Sequence, residues 1–244
     1  MNRHLPLLVL LVGLWIVSPV SAGTIADVSA LPLGTDATID QAVILSTTDL
    51  TADPLYKSFQ LRDTTRAITI YGTNAEIDAA LSGFGVGSVI EISGQTANRG
   101  GALVLITGTF GGFAVTGRTT TLPLLTNSLL VAPSDIAAPY ESNLVCLNNV
   151  SFADTGFFAA GSDYALTGGS ATVRIVSDDL GLTGYPIPSG PLDITGIVIP
   201  ADPISPGNYF LAPRGPADMV SVPEPSSLTL LVLGGVGILF MLQS

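Results

Sequence analysis

The stretch SFQLRDTTRAITIYG, residues 58–72, decides how the rest of the chain is read. Phe59 and Leu61 alternate with Ser58, Gln60 and Arg62, a period of two that marks a half-buried strand. Asp63 then opens a turn through Thr64, Thr65 and Arg66, and Ile68 and Ile70 resume the alternation in a second strand. Upstream, ATIDQAVILST (37–47) reads as a long strand, followed by the turn-rich TDLTADPLYK (48–57). Downstream, NAEIDAALSGFG (74–85) has the features of a short helix. Asn74 is a candidate N-cap, Ile77, Ala80 and Leu81 fall at helical spacing, and Gly83 or Gly85 ends the run. SVIEISGQT (88–96) and GALVLITG (101–108) then form a hairpin around Asn98, Arg99 and Gly100.

Three strands, a helix and two strands is the order of an OB-fold, a five-stranded barrel. The stretch 58–72 resembles the OB-like domains of exported bacterial proteins, some of them attached to extracellular nucleases. The second half repeats the pattern. DYALTGGSATVRIVS (163–177) lies over 58–72 without a gap, setting Phe59 on Tyr164, Leu61 on Leu166, Ile68 on Val173 and Ile70 on Ile175. LDITG (192–196) lies over IEISG (90–94). Apolar positions match apolar ones with period two, as a barrel interior demands. The second copy opens with SNLVCLNNVSF (142–152) and ends with NYFLAPRGPADMV (208–220). In place of the helix it has DDLGLTGYPIPSG (178–190), too rich in Pro and Gly for anything but an irregular loop. The connection 111–140 is long. Its first part can pair with a barrel, and its last part, through Pro133 and Pro139, is the best boundary.

The two ends are apolar. MNRHLPLLVLLVGLWIVSPVSA has a basic start, an apolar run and small residues before a cut after Ala22, the pattern of a secretory leader. At the other end Val222, Pro223, Glu224, Pro225, Ser226 and Ser227 precede an apolar run, 228–242, of 15 residues. As a helix that run spans roughly 23 Å, less than the ~30 Å of a bilayer core. Box, helix and terminus in this order resemble the PEP-CTERM sorting signal. The resemblance implies recognition by an exosortase-type processing enzyme, with the helix holding the chain at the inner membrane until the tail is removed. The chain departs from that pattern at Met241, Leu242, Gln243 and Ser244, where such tails carry arginines. The expected fold is therefore mainly β, with two tandem OB-like five-stranded barrels, one short helix in the first, and a hydrophobic helix at each terminus. The expected divisions are leader 1–22, first domain 23–112, linker 113–139, second domain 140–221 and sorting tail 222–244.

Composition narrows the chemistry. The formal net charge is −11, which repels nucleic acid and acidic glycans in general. An apolar fraction of 47% is far too high for a solvated, unfolded chain. The single histidine, His4, lies in the leader, so Ser-His-Asp and Cys-His catalysis and histidine metal sites are not expected. Cys146 is the only cysteine and reads as a buried small hydrophobe sharing a strand face with Leu144. Asp178 and Asp179 form a carboxylate pair in the helix-replacing loop, which reads as a solvated turn rather than a calcium site. Tyr56, Lys57, Arg62, Arg66, Tyr71 and Arg99 cluster where OB barrels hold ligands, between strands two and three and in the last hairpin.

These readings converge on an exported, non-enzymatic binding or structural protein of the bacterial envelope or extracellular matrix. No cofactor or metal is expected, and a matrix polysaccharide or protein is the expected partner. One alternative is a nucleic-acid-binding accessory using Lys57, Arg62 and Arg66 on phosphates. A hydrolase working with carboxylates alone is the other.

Overall fold

The computed structural model describes residues 21–51, 53–99, 102–107, 113–119, 127–168, 171–200 and 208–222. Its first half contains β1 (Ser21–Gly23), α1 (Ile25–Ser29), β2 (Asp36–Ser46), β3 (Tyr56–Arg62), β4 (Ala67–Thr73), α2 (Asn74–Ala80), β5 (Val89–Arg99), β6 (Ala102–Ile106) and β7 (Ala114–Arg118). Strands β2, β3, β4, β6 and β5 are hydrogen-bonded in that order, and β5 pairs back to β2. The result is a closed five-stranded barrel. Its β4–β6 pair is parallel and its other pairs antiparallel, consistent with an OB-like fold. Ile39, Ile44, Phe59, Leu61, Ile68, Ile70, Ile90, Ile92 and Leu105 fill the interior, with Ile77 of α2 plugging one end.

The helix forms where the sequence places it, with one change at its start. Thr73, not Asn74, is the N-cap. The Thr73 hydroxyl accepts from the Glu76 backbone N–H and the Glu76 carboxylate accepts from the Thr73 N–H, a reciprocal capping box. Asn74 instead donates its side-chain amide to the Pro54 carbonyl (3.0 Å).

The second half contains β8 (Leu129–Leu130), β9 (Leu144–Val150), β10 (Ser162–Ala165), β11 (Thr172–Ile175), β12 (Leu192–Pro200), β13 (Tyr209–Ala212) and β14 (Met219–Ser221). The sheet order is β10, β11, β13, β12, β9, β8, with β14 on β12. The path returns on itself through a bridge between Phe152 and Leu166, flanked by Ala153 N–H to Ala165 O (2.9 Å) and Thr167 N–H to Ser151 O (2.8 Å). A 3₁₀ turn, Asp178–Leu180, stands where the first half has its helix, and Gly181 ends it at φ +66°. No helix among the described residues is long and apolar enough to cross a membrane.

The gapless alignment of the two hairpins is corrected. Phe59 faces Ile70, whereas Tyr164 faces Val173 and Ile175 faces Ser162. The second hairpin is therefore two residues shorter between paired positions. A shift of two leaves every side chain on its original face, so the apolar pattern matched although the register did not. Cys146 is also corrected. It is partly exposed and bonds the Asn148 side chain through sulfur, while Leu144 is buried. The face they share is closed at Leu144 and opens by Asn148, which is exposed.

The connection between the halves is built into both sheets. Ala114–Arg118 adds to β5, and Leu129–Leu130 runs parallel to β9. Ser21 and Ala22, the last residues of the expected leader, pair with Ala37 and Thr38 of β2. The hydrophobic helices expected at the termini lie outside the described residues, as do Pro223, Glu224, Pro225, Ser226 and Ser227. Val222 donates its N–H to the Pro191 carbonyl (3.0 Å).

A candidate ligand-binding cleft

Alternation along β2, β3 and β4 sends one set of side chains into the first barrel and the other toward the second half. Ile44 belongs to the first core, and its neighbour Leu45 to the second. On β3, Phe59 and Leu61 point inward, while Ser58 and Gln60 point outward and are nonetheless buried, 3% and 1% exposed. Around them stand Leu50 and Thr51 of the first half and residues of the second half. The seam is held by Thr69 and Ser142 hydroxyls 2.8 Å apart, Arg62 Nη1 to Asn127 O (3.3 Å) and Arg214 Nη1 to Leu45 O (3.0 Å).

Where the two halves do not meet, a cleft of about 430 Å³ remains. From the first half it is lined by Ser58, Gln60, Thr69, Tyr71, Arg99 and Val104, and from the second by Glu141, Arg174, Val176 and Val198 to Pro200. Each side contributes an arginine lying over an aromatic ring. The Arg99 guanidinium stands 3.6 Å from the Tyr71 ring centre, and that of Arg174 3.9 Å from Phe210. Each arginine has an acid beside it: Asp53 at 3.6 Å from Arg99, and Asp163 at 2.6 and 2.8 Å from Arg174.

Three of the six residues singled out in the sequence meet here. Tyr56 and Tyr71 stack at 5.3 Å between ring centres, and Arg99 lies over Tyr71. The other three do not join them. Lys57 is on the opposite face of β3, paired with Asp78 of α2 at 2.8 Å, and that carboxylate holds its ammonium above the ordinary lysine value. Arg62 is engaged at the seam, where burial lowers its pKa. Arg66 lies with Glu141, Ser142 and Tyr209 around a separate hollow. The cluster thus diverges instead of forming one basic track. Ser58, Gln60 and Thr69 carried no signal in the sequence, because polar residues alternating outward along a strand read as solvated, and Glu141 lies in the turn before β9, where an acid also reads as solvated.

Two oxygens at this cleft are buried with no partner among the described residues: Gln60 Oε1 and Tyr71 Oη. Burial pushes the Tyr71 phenol up to about 12, with Arg99 partly opposing it. Burial likewise raises Glu141, offset by the Tyr209 hydroxyl it accepts from (3.2 Å) and by the charge of Arg66. A hydroxyl buried without a partner costs stability. Tyr71→Phe is therefore expected to leave the urea midpoint unchanged or raise it, by up to about 1 kcal/mol of stability. A loss above about 1 kcal/mol would mean the hydroxyl is already bonded.

Asp178 and Asp179 stand in the 3₁₀ turn, and no group of three or more His, Cys, Asp or Glu able to hold a metal occurs among the described residues.

No family model and no curated protein matches this chain. Among solved structures it is similar to a chain of a replication protein A heterotrimer bound to single-stranded DNA. The identity is 14% over 59% of this chain and 39% of that one, with a TM-score of 0.32. It is also similar to a structure described as the molecular basis for abrogation of activation of pro-inflammatory cytokines, at 11% identity over 75% of this chain and 90% of that one, TM-score 0.37. This chain spans about two fifths of the first of these. At such TM-scores neither likeness bears on ligand or activity.

Proposed function

We propose that the protein is an exported, non-enzymatic binding component of the bacterial envelope or extracellular matrix, built from two OB-like units that hold their ligand in the cleft between them. The observation that carries this reading is the cleft itself, lined by residues of both halves. Duplication is supported by the common strand order of the two sheets and by a matching glycine in each, Gly94 on β5 and Gly196 on β12. Delivery is supported by the leader pattern and by the box Val222 to Ser227, which an exosortase-type enzyme would read while the apolar tail rests in the inner membrane. The nucleic-acid alternative is disfavoured by Lys57, Arg62 and Arg66, which face different neighbours and form no continuous phosphate track.

Fractionation of source cells tests both parts of the proposal. Native protein is expected in the extracellular matrix fraction, shortened by its tail. Ile199→Trp, which fills the cleft from a half-buried position, is expected to be shortened equally but to appear free in the medium. Equal retention of both proteins in the matrix would overturn the cleft. Full-length native protein in the membrane fraction would overturn the sorting step.

A further inference from the structure

Resting on the reading of the cleft as a binding site, we infer that its ligand is a neutral polyhydroxylated molecule, one or two rings of an uncharged glycan. The two arginines bordering the cleft are already matched in place, and the Glu141 carboxylate accepts from the Tyr209 hydroxyl with the charge of Arg66 nearby. Arg99 has Asp53 beside it and Arg174 is held at two points by Asp163. An anionic ligand would have to compete with those carboxylates, and a cationic one would face both guanidiniums.

A flat nucleobase is disfavoured on separate grounds. Stacking needs an open aromatic face. The ring at the first wall, Tyr71, is covered by Arg99, and the ring behind the second, Phe210, is covered by Arg174. What the cleft does offer is hydrogen bonding of both senses above aliphatic walls. Guanidinium N–H groups donate, the Glu141 carboxylate accepts, and the Thr69 hydroxyl does either. Ile199 and Pro200, both half-buried, supply apolar surface for the C–H faces of a ring. Gln60 Oε1 and Tyr71 Oη are closed to a group the size of water, so the ligand's hydrogen bonds fall on the accessible donors and acceptors above. At about 430 Å³ the cleft is within the range of small-molecule sites.

The test is titration calorimetry on the full chain with five probes: maltose, cellobiose, lactose, a glucuronate-containing disaccharide and a six-residue oligothymidylate. At least one neutral disaccharide is expected to bind, with affinity unchanged within about twofold as salt is raised, since no counterion is released. Glu141→Gln is expected to weaken that binding about tenfold, the loss of one charge-assisted hydrogen bond. If Glu141→Gln does not fold by circular dichroism, Arg99→Met carries the same expectation. Binding confined to the glucuronate or oligothymidylate probes, no binding to any neutral disaccharide, or neutral binding untouched by the cleft variants would overturn the inference. The cleft reading fails separately, by equal matrix retention of native protein and Ile199→Trp.

Discussion

Asp63→Ala is expected to destabilise the protein by about 3–5 kcal/mol, the range for breaking a buried charged network. Asp63 is 5% exposed and accepts four hydrogen bonds. One oxygen takes Thr65 N–H (2.7 Å), Thr65 hydroxyl (2.6 Å) and Arg66 N–H (3.0 Å), closing the turn between β3 and β4. The other takes the Ile25 N–H at 2.6 Å, fixing the first turn of α1 against that hairpin. Hydrogen bonds to a charged group are each worth about 1.5–3 kcal/mol net, and they do not add fully when they share one acceptor. Alanine removes all four and leaves the Ile25 amide, in a fully buried residue, without its acceptor. Asp63→Asn separates the two roles, because one oxygen can still close the turn while the amide nitrogen cannot receive Ile25. It should lose about half as much. Urea unfolding of the full chain measures both. An alanine variant within about 1 kcal/mol of wild type would show that the network contributes little.

Gly94→Ala and Gly196→Ala should each destabilise by about 1–3 kcal/mol, the usual cost of forcing extra volume into a packed interior. A Cβ at Gly94 would stand 2.5 Å from the Ile106 carbonyl oxygen and 2.8 Å from Leu105 Cγ. At Gly196 it would stand 2.7 Å from the Ala212 carbonyl oxygen and 2.9 Å from Leu211 Cδ1. The nearest obstacle at each glycine is a backbone carbonyl of the next strand, which cannot rotate away as a side-chain tip would. The two glycines end the aligned segments IEISG and LDITG, and each lets its strand cross closely over its partner, β6 in one sheet and β13 in the other. Gly85 and Gly190, with nothing within 4 Å of an added Cβ, are the controls and should change by less than about 0.5 kcal/mol as alanines. Matched losses at 94 and 196 would support one architecture used twice. A neutral Gly196→Ala would break the correspondence.

The first barrel was legible because its strands obey a single rule, apolar side chains inward every second residue. SFQLRDTTRAITIYG carries that rule through two strands and a turn. The helix was legible too. Its cap was misplaced by one residue because Asn74 is a good cap in isolation, while the pair that decides it, Thr73 with Glu76, depends on both residues together. The hairpin shift in the second half could not be seen, since a two-residue slip preserves the pattern of faces. The cleft was the least visible feature. Tyr56, Tyr71 and Arg99 were singled out and do meet. Ser58 and Gln60 follow the pattern of solvated positions, yet both are buried, in a cleft wall shared with Leu50, Thr51 and residues of the sequence-distant second sheet. In the same way Asp63 reads as a turn residue, but its bond to Ile25 spans 38 positions and leaves no local trace.

Amide hydrogen exchange tests most directly whether the cleft is the place where ligand is held. Full chain would be compared with and without extracellular polysaccharide isolated from source cells. Slowed exchange is expected in residues 58–60 and 69–71 from the first half and at Val198 and Ile199 from the second, the strands that line the cleft from opposite sides. Protection confined to one half, or to surfaces away from these strands, or no change at saturating polysaccharide, would contradict it.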